Sequence, residues 1–126
     1  MENLIDIMQL STEEIDELVK TGCDIMEHPA EYAHKCDGKI LATLFFEPST
    51  RTRLSFESAM LRLGGKTLGF AGAQLSSASK GETVADTARV VSNYADVIAM
   101  RHPKEGAPLR ASMYCLLYTS DAADEA

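Results

Sequence analysis

The sequence predicts an α/β fold: a parallel sheet with flanking helices. Three observations lead there. Residues 39–46 form a near-continuous apolar run of strand length, the pattern of a parallel strand covered on both faces. From that run to Met100, strand-like and helix-like segments alternate, and a strand–helix–strand–helix–strand order implies right-handed crossovers between parallel strands. Finally, polar and cationic residues collect where the strands end: Ser49 to Arg53 after the first and Arg101 after the last. In open α/β sheets that is the edge where ligands bind.

The elements follow in order. Ser11-Thr12-Glu13-Glu14 has the form of a capping box, with Ser11 as N-cap and Glu14 three residues on. Ile15, Leu18, Val19, Gly22 and Met26 recur at helical spacing, so residues 12–26 are expected to be helical with a solvated acidic face. Residues 28–38, which contain Pro29 and Gly38, read mostly as a connector with room for one more helical turn. The strand over 39–46 ends at Pro48. Residues 54–63 carry Phe56, Ala59, Met60 and Leu63 on one side and Leu54, Ser58 and Leu61 on a neighbouring stripe, which predicts a helix buried over a wide arc. Arg53 and Glu57 are i,i+4 partners, a structural use for that arginine. Gly64-Gly65 stops the helix. Residues 66–70 read as a second strand, residues 71–81 as a Gly-, Ala- and Ser-rich loop, and Thr83 as the start of a helix with Val84, Thr87, Ala88, Val91 and Ala95 on one face. Val97 to Met100 is the third strand.

The bulk numbers narrow the function classes. A chain of 126 residues suits one domain with a modest core, and 45% hydrophobic with 25% charged residues is ordinary for a globular protein. No apolar run approaches a membrane span and the acidic N-terminus does not resemble a signal peptide, so a cytoplasmic protein is expected. The net charge of −7 is uneven. Residues 1–37 hold ten acids against two bases, residues 38–112 ten bases against six acids, and residues 113–126 three acids and no base. An acidic chain with a basic middle argues against general nucleic-acid binding and for a local anion pocket. Three cysteines, Cys23, Cys36 and Cys115, read as reduced thiols. Cys23, His28, His34 and Cys36 match no compact zinc spacing, and no metal is expected.

Glu47-Pro48-Ser49-Thr50-Arg51-Thr52-Arg53 places three hydroxyls and two guanidiniums at a strand-to-helix junction. Such a junction directs unpaired backbone N–H groups and the positive end of the helix dipole at whatever lies above it. Arginine adds a planar fork that matches phosphate or carboxylate oxygens. The expectation is an oxyanion site, most simply for phosphate. Helix capping accounts for one hydroxyl but not for the whole succession. Arg101 is expected at the same sheet edge, and Lys80 on the 71–81 loop is a candidate third cation. Gly65-Lys66-Thr67 is not the end of a P-loop, because Met60 stands where that motif needs glycine.

Phe46-Glu47-Pro48-Ser49-Thr50-Arg51-Thr52-Arg53, followed by Phe56-Glu57, resembles the carbamoyl-phosphate signature of the aspartate and ornithine carbamoyltransferases. Lys80-Gly81-Glu82-Thr83 with Asp86-Thr87, and Met100-Arg101-His102-Pro103 with Glu105-Gly106, resemble the aspartate branch. The resemblance covers about residues 1–110 and implies a carbamoyl-phosphate-binding domain, here incomplete, over residues 1–112. It implies that Ser49, Thr50, Arg51 and Thr52 bind the phosphate of carbamoyl phosphate, with Arg51 stabilising the leaving group. Thr52 and Arg101 would contact the carbamoyl oxygen and the phosphate. Ser76 and Lys80 would enter the site of a neighbouring subunit in a homotrimer. The implied reaction carries the carbamoyl group to the α-amine of L-aspartate in de novo pyrimidine synthesis, with no cofactor or metal. A regulatory chain is a further partner compatible with the family; nucleic acid and membrane are not expected partners.

The family's catalytic chain runs on to a histidine and a glutamine that hold the carbamoyl group, then to a second domain with arginines for aspartate. Residues 113–126 match none of this and read as translated sequencing-adapter sequence on a truncated frame; the rival is a genuine divergent C-terminal segment. The polypeptide by itself is therefore expected to be inactive. The rival functions are an ornithine or related carbamoyltransferase, and a non-catalytic phosphate-binding module.

Overall fold

A computed structural model describes residues 3–71, 84–103 and 117–119, the last three and residues 70 and 71 by their backbone. A short 3-10 turn, Ile7–Gln9, precedes helix α1, Thr12–Glu27, and the single-turn helix α2, Pro29–Tyr32. Strand β1, Ile40–Phe45, leads to α3, Thr50–Arg62, and to β2, Lys66–Ala71. Helix α4, Val84–Val91, precedes β3, Val97–Arg101, and a short strand β4, Leu117–Thr119. No helix among the described residues is long and apolar enough to cross a membrane.

The strands pair in the order β2-β1-β3-β4, and every pair is parallel. β1 is an interior strand, between β2 and β3, and residues 41–46 are all buried, as an apolar run without alternation requires. Its side chains divide between two cores. Ala42, Leu44 and Phe46 pack with Ile98, Met100 and Ala88 of α4, while Leu41 and Phe45 pack with Ala99, Met60 of α3 and the half-buried Phe56. Helices α3 and α4 therefore cover opposite faces. The chain travels one way from β1 to β2 over one face and returns past β1 to β3 over the other, so the two crossovers share a hand.

Strand order reverses at β1. The chain leaves β1 towards β2, whereas β4 lies beyond β3 on the other side. The crevice between the carboxyl ends of β1 and β3 is thus a topological switch point. Both ends of this strand pair are fastened. At the amino end, the Asp96 carboxylate accepts from the Ile40 amide at 2.9 Å and the Asp96 amide donates to the Ile40 carbonyl at 2.9 Å. At the carboxyl end, the Phe46 amide donates to the Arg101 carbonyl at 2.9 Å, and the rings of Phe46 and His102 meet at 4.9 Å.

Local chemistry sets the helix ends. The Ser11–Glu14 capping box is present in both directions. At the end of α3, Gly65 N–H donates to the Met60 carbonyl and Gly64 N–H to the Leu61 carbonyl, the double closure of a Schellman turn. Gly64 takes φ +92, and a Cβ there would lie 2.1 Å from Asp37 Oδ1, so only glycine fits this turn against the α2–β1 connector.

One expectation about burial is corrected. Helix α3 buries only Met60, with Phe56 and Leu63 half-buried; Ala59 is exposed and Leu54 and Leu61 are each 57% exposed. The helix packs against β1 and β2 along one face, and no described element covers the Leu54–Ser58–Leu61 stripe. Helix α1 likewise buries no residue, and Leu18, Val19 and Met26 are exposed. The apolar periodicity was sound as a sign of helix but says nothing about what covers the stripe. The loop expected over residues 71–81, and with it Ser76 and Lys80, lies outside the described residues apart from the backbone of Ala71.

Candidate anion-binding site

The site begins with the end of β1. Phe45 and Arg101 are register partners, so the residues that follow β1 and the last residue of β3 share the carboxyl edge of the sheet. Glu47 to Ser49 carry the chain from that edge into α3. Ser49 is the N-cap of α3, yet its side chain makes no capping hydrogen bond. Its hydroxyl instead accepts from Arg101 Nη1 at 3.1 Å. Arg101 Nε donates to Glu47 Oε1 at 2.8 Å, an ion pair whose two side chains are 27% and 32% exposed.

This arrangement has a chemical consequence. The first amides of α3, those of Thr50, Arg51 and Thr52, have no carbonyl within the helix to bind. Since the Ser49 hydroxyl is not spent on them, they face the opening together with the positive end of the helix dipole. Thr52 is half-buried, while Thr50 and Arg51 are exposed. Arg51 makes no ion pair among the described residues, so its guanidinium is available to an incoming anion. Arg53 points the other way: its Nε lies 3.1 Å from Glu57 Oε2, an ion pair along the helix, off-line for a hydrogen bond. The structural role expected for Arg53 is thus met. The structure brings Ser49, Thr50, Arg51, Thr52 and Arg101 to one edge.

Glu47 belongs to the sequence motif, and only the fold gives it a role. Its partner is 54 residues away, and only the β1–β3 register brings the two together. The signal available in the sequence was an acid directly after one strand and an arginine closing another.

Two other features lie elsewhere. A mainly apolar cleft of about 600 Å³, lined in part by Met26, Pro29, Tyr32 and Leu63, sits by the C-terminal end of α3. A helix of this length puts that end roughly 18 Å from the N-terminal amides, and the cleft does not offer the oxyanion chemistry of the switch point. Among the described residues, His28 pairs with Asp24 and His34 with Asp37.

A parallel α/β sheet with hydroxyls, helix amides and two arginines at its switch point defines a protein of the anion-binding α/β class. The comparisons with known proteins give the family. Residues 2–115 match the family model of the aspartate/ornithine carbamoyltransferase carbamoyl-P binding domain, and the chain belongs to that family. It is 60% identical over 122 residues to the aspartate carbamoyltransferase catalytic subunit of Clostridium kluyveri, covering 97% of this chain and 40% of that protein. It superposes on the catalytic subunit of M. jannaschii aspartate transcarbamoylase with TM-score 0.89 and 44% identity, covering 97% of this chain and 42% of that one. Aspartate transcarbamoylase from Trypanosoma cruzi in complex with carbamoyl phosphate and aspartate matches with TM-score 0.85 and 34% identity, over 94% of this chain and 40% of that one. The chain thus spans about two fifths of the length of these relatives.

Proposed function

We propose that this chain is the carbamoyl-phosphate-binding part of an aspartate carbamoyltransferase. The observation that carries the reading is Arg101 at the end of β3 reaching Ser49 at the N-cap of α3, beside the first amides of that helix. In this reading Ser49, Thr50, Arg51 and Thr52 hold the phosphate. Arg101 and Thr52 donate to the carbamoyl oxygen, and Arg101 also reaches the phosphate. The α-amine of L-aspartate adds to the carbamoyl carbon, the carbon–oxygen bond to phosphate breaks, and the departing phosphate keeps the electron pair while the nitrogen loses a proton. Arg51 and Arg101 lower the barrier by neutralising charge that grows on oxygen, and the cradle holds one reactant in place for the other.

The rest of the site is shared between this chain's own 71–81 stretch, supplied by a neighbouring copy, and the further length of the relatives. Ser76 and Lys80 are assigned to the cradle of a neighbouring subunit in a cytoplasmic homotrimer, and the aspartate ligands to the further length of the relatives. The domain boundary at residue 112, and the adapter origin of residues 113–126, belong to the same proposal. The family match runs to residue 115, and Leu117–Thr119 pair with β3 as a fourth strand. Native coding sequence for residues 113–126 in an independent clone would overturn the adapter origin.

The test is calorimetric titration of the 126-residue chain with inorganic phosphate and carbamoyl phosphate, followed by an assay for N-carbamoyl-L-aspartate. Binding without product is expected from the chain by itself, and aspartate-dependent product once it is joined to the further length of a relative. Absence of anion binding overturns the reading. Transfer to ornithine by the extended chain moves it to the other branch of the family.

A further inference from the structure

The acidic N-terminal segment holds a second constellation, remote from the anion cradle and independent of the proposed reaction. Asp24 lies in the last turns of α1, His28 is its C-cap four residues on, and Glu31 follows in α2. One ligand atom from each of the three lies within 4.8 Å of the other two. We propose that Asp24, His28 and Glu31 bind a divalent transition-metal ion, with water completing its shell.

The geometry supports this in three ways. His28 Nδ1 and Asp24 Oδ1 are 3.1 Å apart. Zinc bonds of about 2.0–2.2 Å in a tetrahedron separate ligand atoms by about 3.3 Å, so this pair already stands near the required spacing. Glu31 is exposed and has room to swing the remaining distance. The Tyr32 hydroxyl donates to the other Asp24 oxygen, Oδ2, and so keeps Oδ1 towards the imidazole. Such an outer partner is what orients a ligating carboxylate.

Charge and donor type agree with the geometry. Residues 1–37 carry ten acids and two bases, a field that draws cations. One imidazole nitrogen with carboxylate oxygens suits zinc, cobalt or nickel better than calcium, which takes an all-oxygen shell. Without metal, the imidazole N–H donates to the Asp24 carboxylate, and the ion takes the place of that proton. A helical hydrogen bond accounts for Asp24 and His28, and Glu31 brings a third ligand atom to the same point.

The experiment adds Co²⁺ to the metal-stripped 126-residue chain and follows its visible absorption. Weak ligand-field bands without intense thiolate charge transfer are expected, because no cysteine belongs to the set. In His28→Ala the cobalt affinity falls by at least about tenfold, the scale on which even outer partners act. In Glu31→Gln, whose exposed side chain leaves the fold intact, it falls about fivefold, the effect of one screened unit charge. His34→Ala leaves it unchanged. No uptake at millimolar cobalt, a strong thiolate band, or equal affinity in both His28→Ala and Glu31→Gln overturns the proposal.

Discussion

Arg101 Nε lies 2.8 Å from Glu47 Oε1, so the cation at the end of β3 is held by an acid that follows β1. An anion entering the cradle competes with Glu47 for the same guanidinium. Glu47→Gln removes the competing charge and keeps the side chain's shape. Phosphate binding to the 126-residue chain should tighten by the value of a half-exposed pair, about 0.2–1 kcal/mol, or about 1.4- to 5-fold. Calorimetry reads this directly, and weaker binding in Glu47→Gln would show that the acid presents Arg101 more than it withholds it.

Arg51 is exposed and has no ion pair among the described residues. Arg51→Ala should therefore leave the thermal midpoint unchanged while phosphate affinity drops by about 1.5–3 kcal/mol, the value of hydrogen bonds to a charged group. A large loss of stability with little loss of binding would reverse the assignment.

Two N-cap serines make a controlled comparison. Ser11 caps α1 through a 3.1 Å bond from the Glu14 amide, whereas Ser49 makes no capping bond to α3. Ser11→Ala should cost about 1 kcal/mol in chemical denaturation. Ser49→Ala should cost well under that and instead weaken phosphate binding, since its hydroxyl serves Arg101.

Thr43 is fully buried on β1, and its hydroxyl has no partner among the described residues. It sits opposite Gly69, where φ is +150 and a Cβ would come within 2.1 Å of the Thr43 carbonyl oxygen. Thr43→Val keeps the shape and removes a polar group left without a bond. The variant should be as stable as the parent or more stable by about 1 kcal/mol. A clear loss in denaturant unfolding would reveal a partner for that hydroxyl.

The Asp24 carboxyl sits below the ordinary carboxylate range, first because the Tyr32 hydroxyl donates to it and second because the His28 ring does. Its contribution to stability is complete above the ordinary value of 3.8 and is lost as pH falls through the lower folded value. The same bond to Asp24, with some burial, raises Tyr32, whose contribution is complete below its ordinary 10.0 and is lost as pH rises past it. Tyr32→Phe should weaken the fall in stability at both extremes in thermal scans. Unchanged profiles would mean the bond contributes nothing.

The strands and helices that carry chemistry were legible because their signals are local. The unbroken apolar run gave β1, the capping box gave α1, and the double glycine gave the end of α3. What escaped the sequence depended on distant partners. The pairing of Glu47 with Arg101 exists only through the β1–β3 register. The fourth strand, Leu117–Thr119, is too short to show a period, and it lies in a segment read as a tail. The wide burial expected for α3 failed for the same reason: a stripe in the sequence names a face but not its cover. Of the candidate site, Ser49 to Thr52 and Arg101 were foreseen as neighbours, whereas the diversion of the Ser49 hydroxyl from capping was visible only in three dimensions.

The fastening of β1 to β3 at both ends bears on how the cradle can be lost. A slip of one residue between these strands would undo the Asp96–Ile40 bonds at one end and the Phe46–Arg101 bond at the other. It would also turn the Arg101 side chain to the opposite face of the sheet. A substitution need not touch the anion to disarm the protein, since anything that lets β3 slide leaves the binding edge without its second cation.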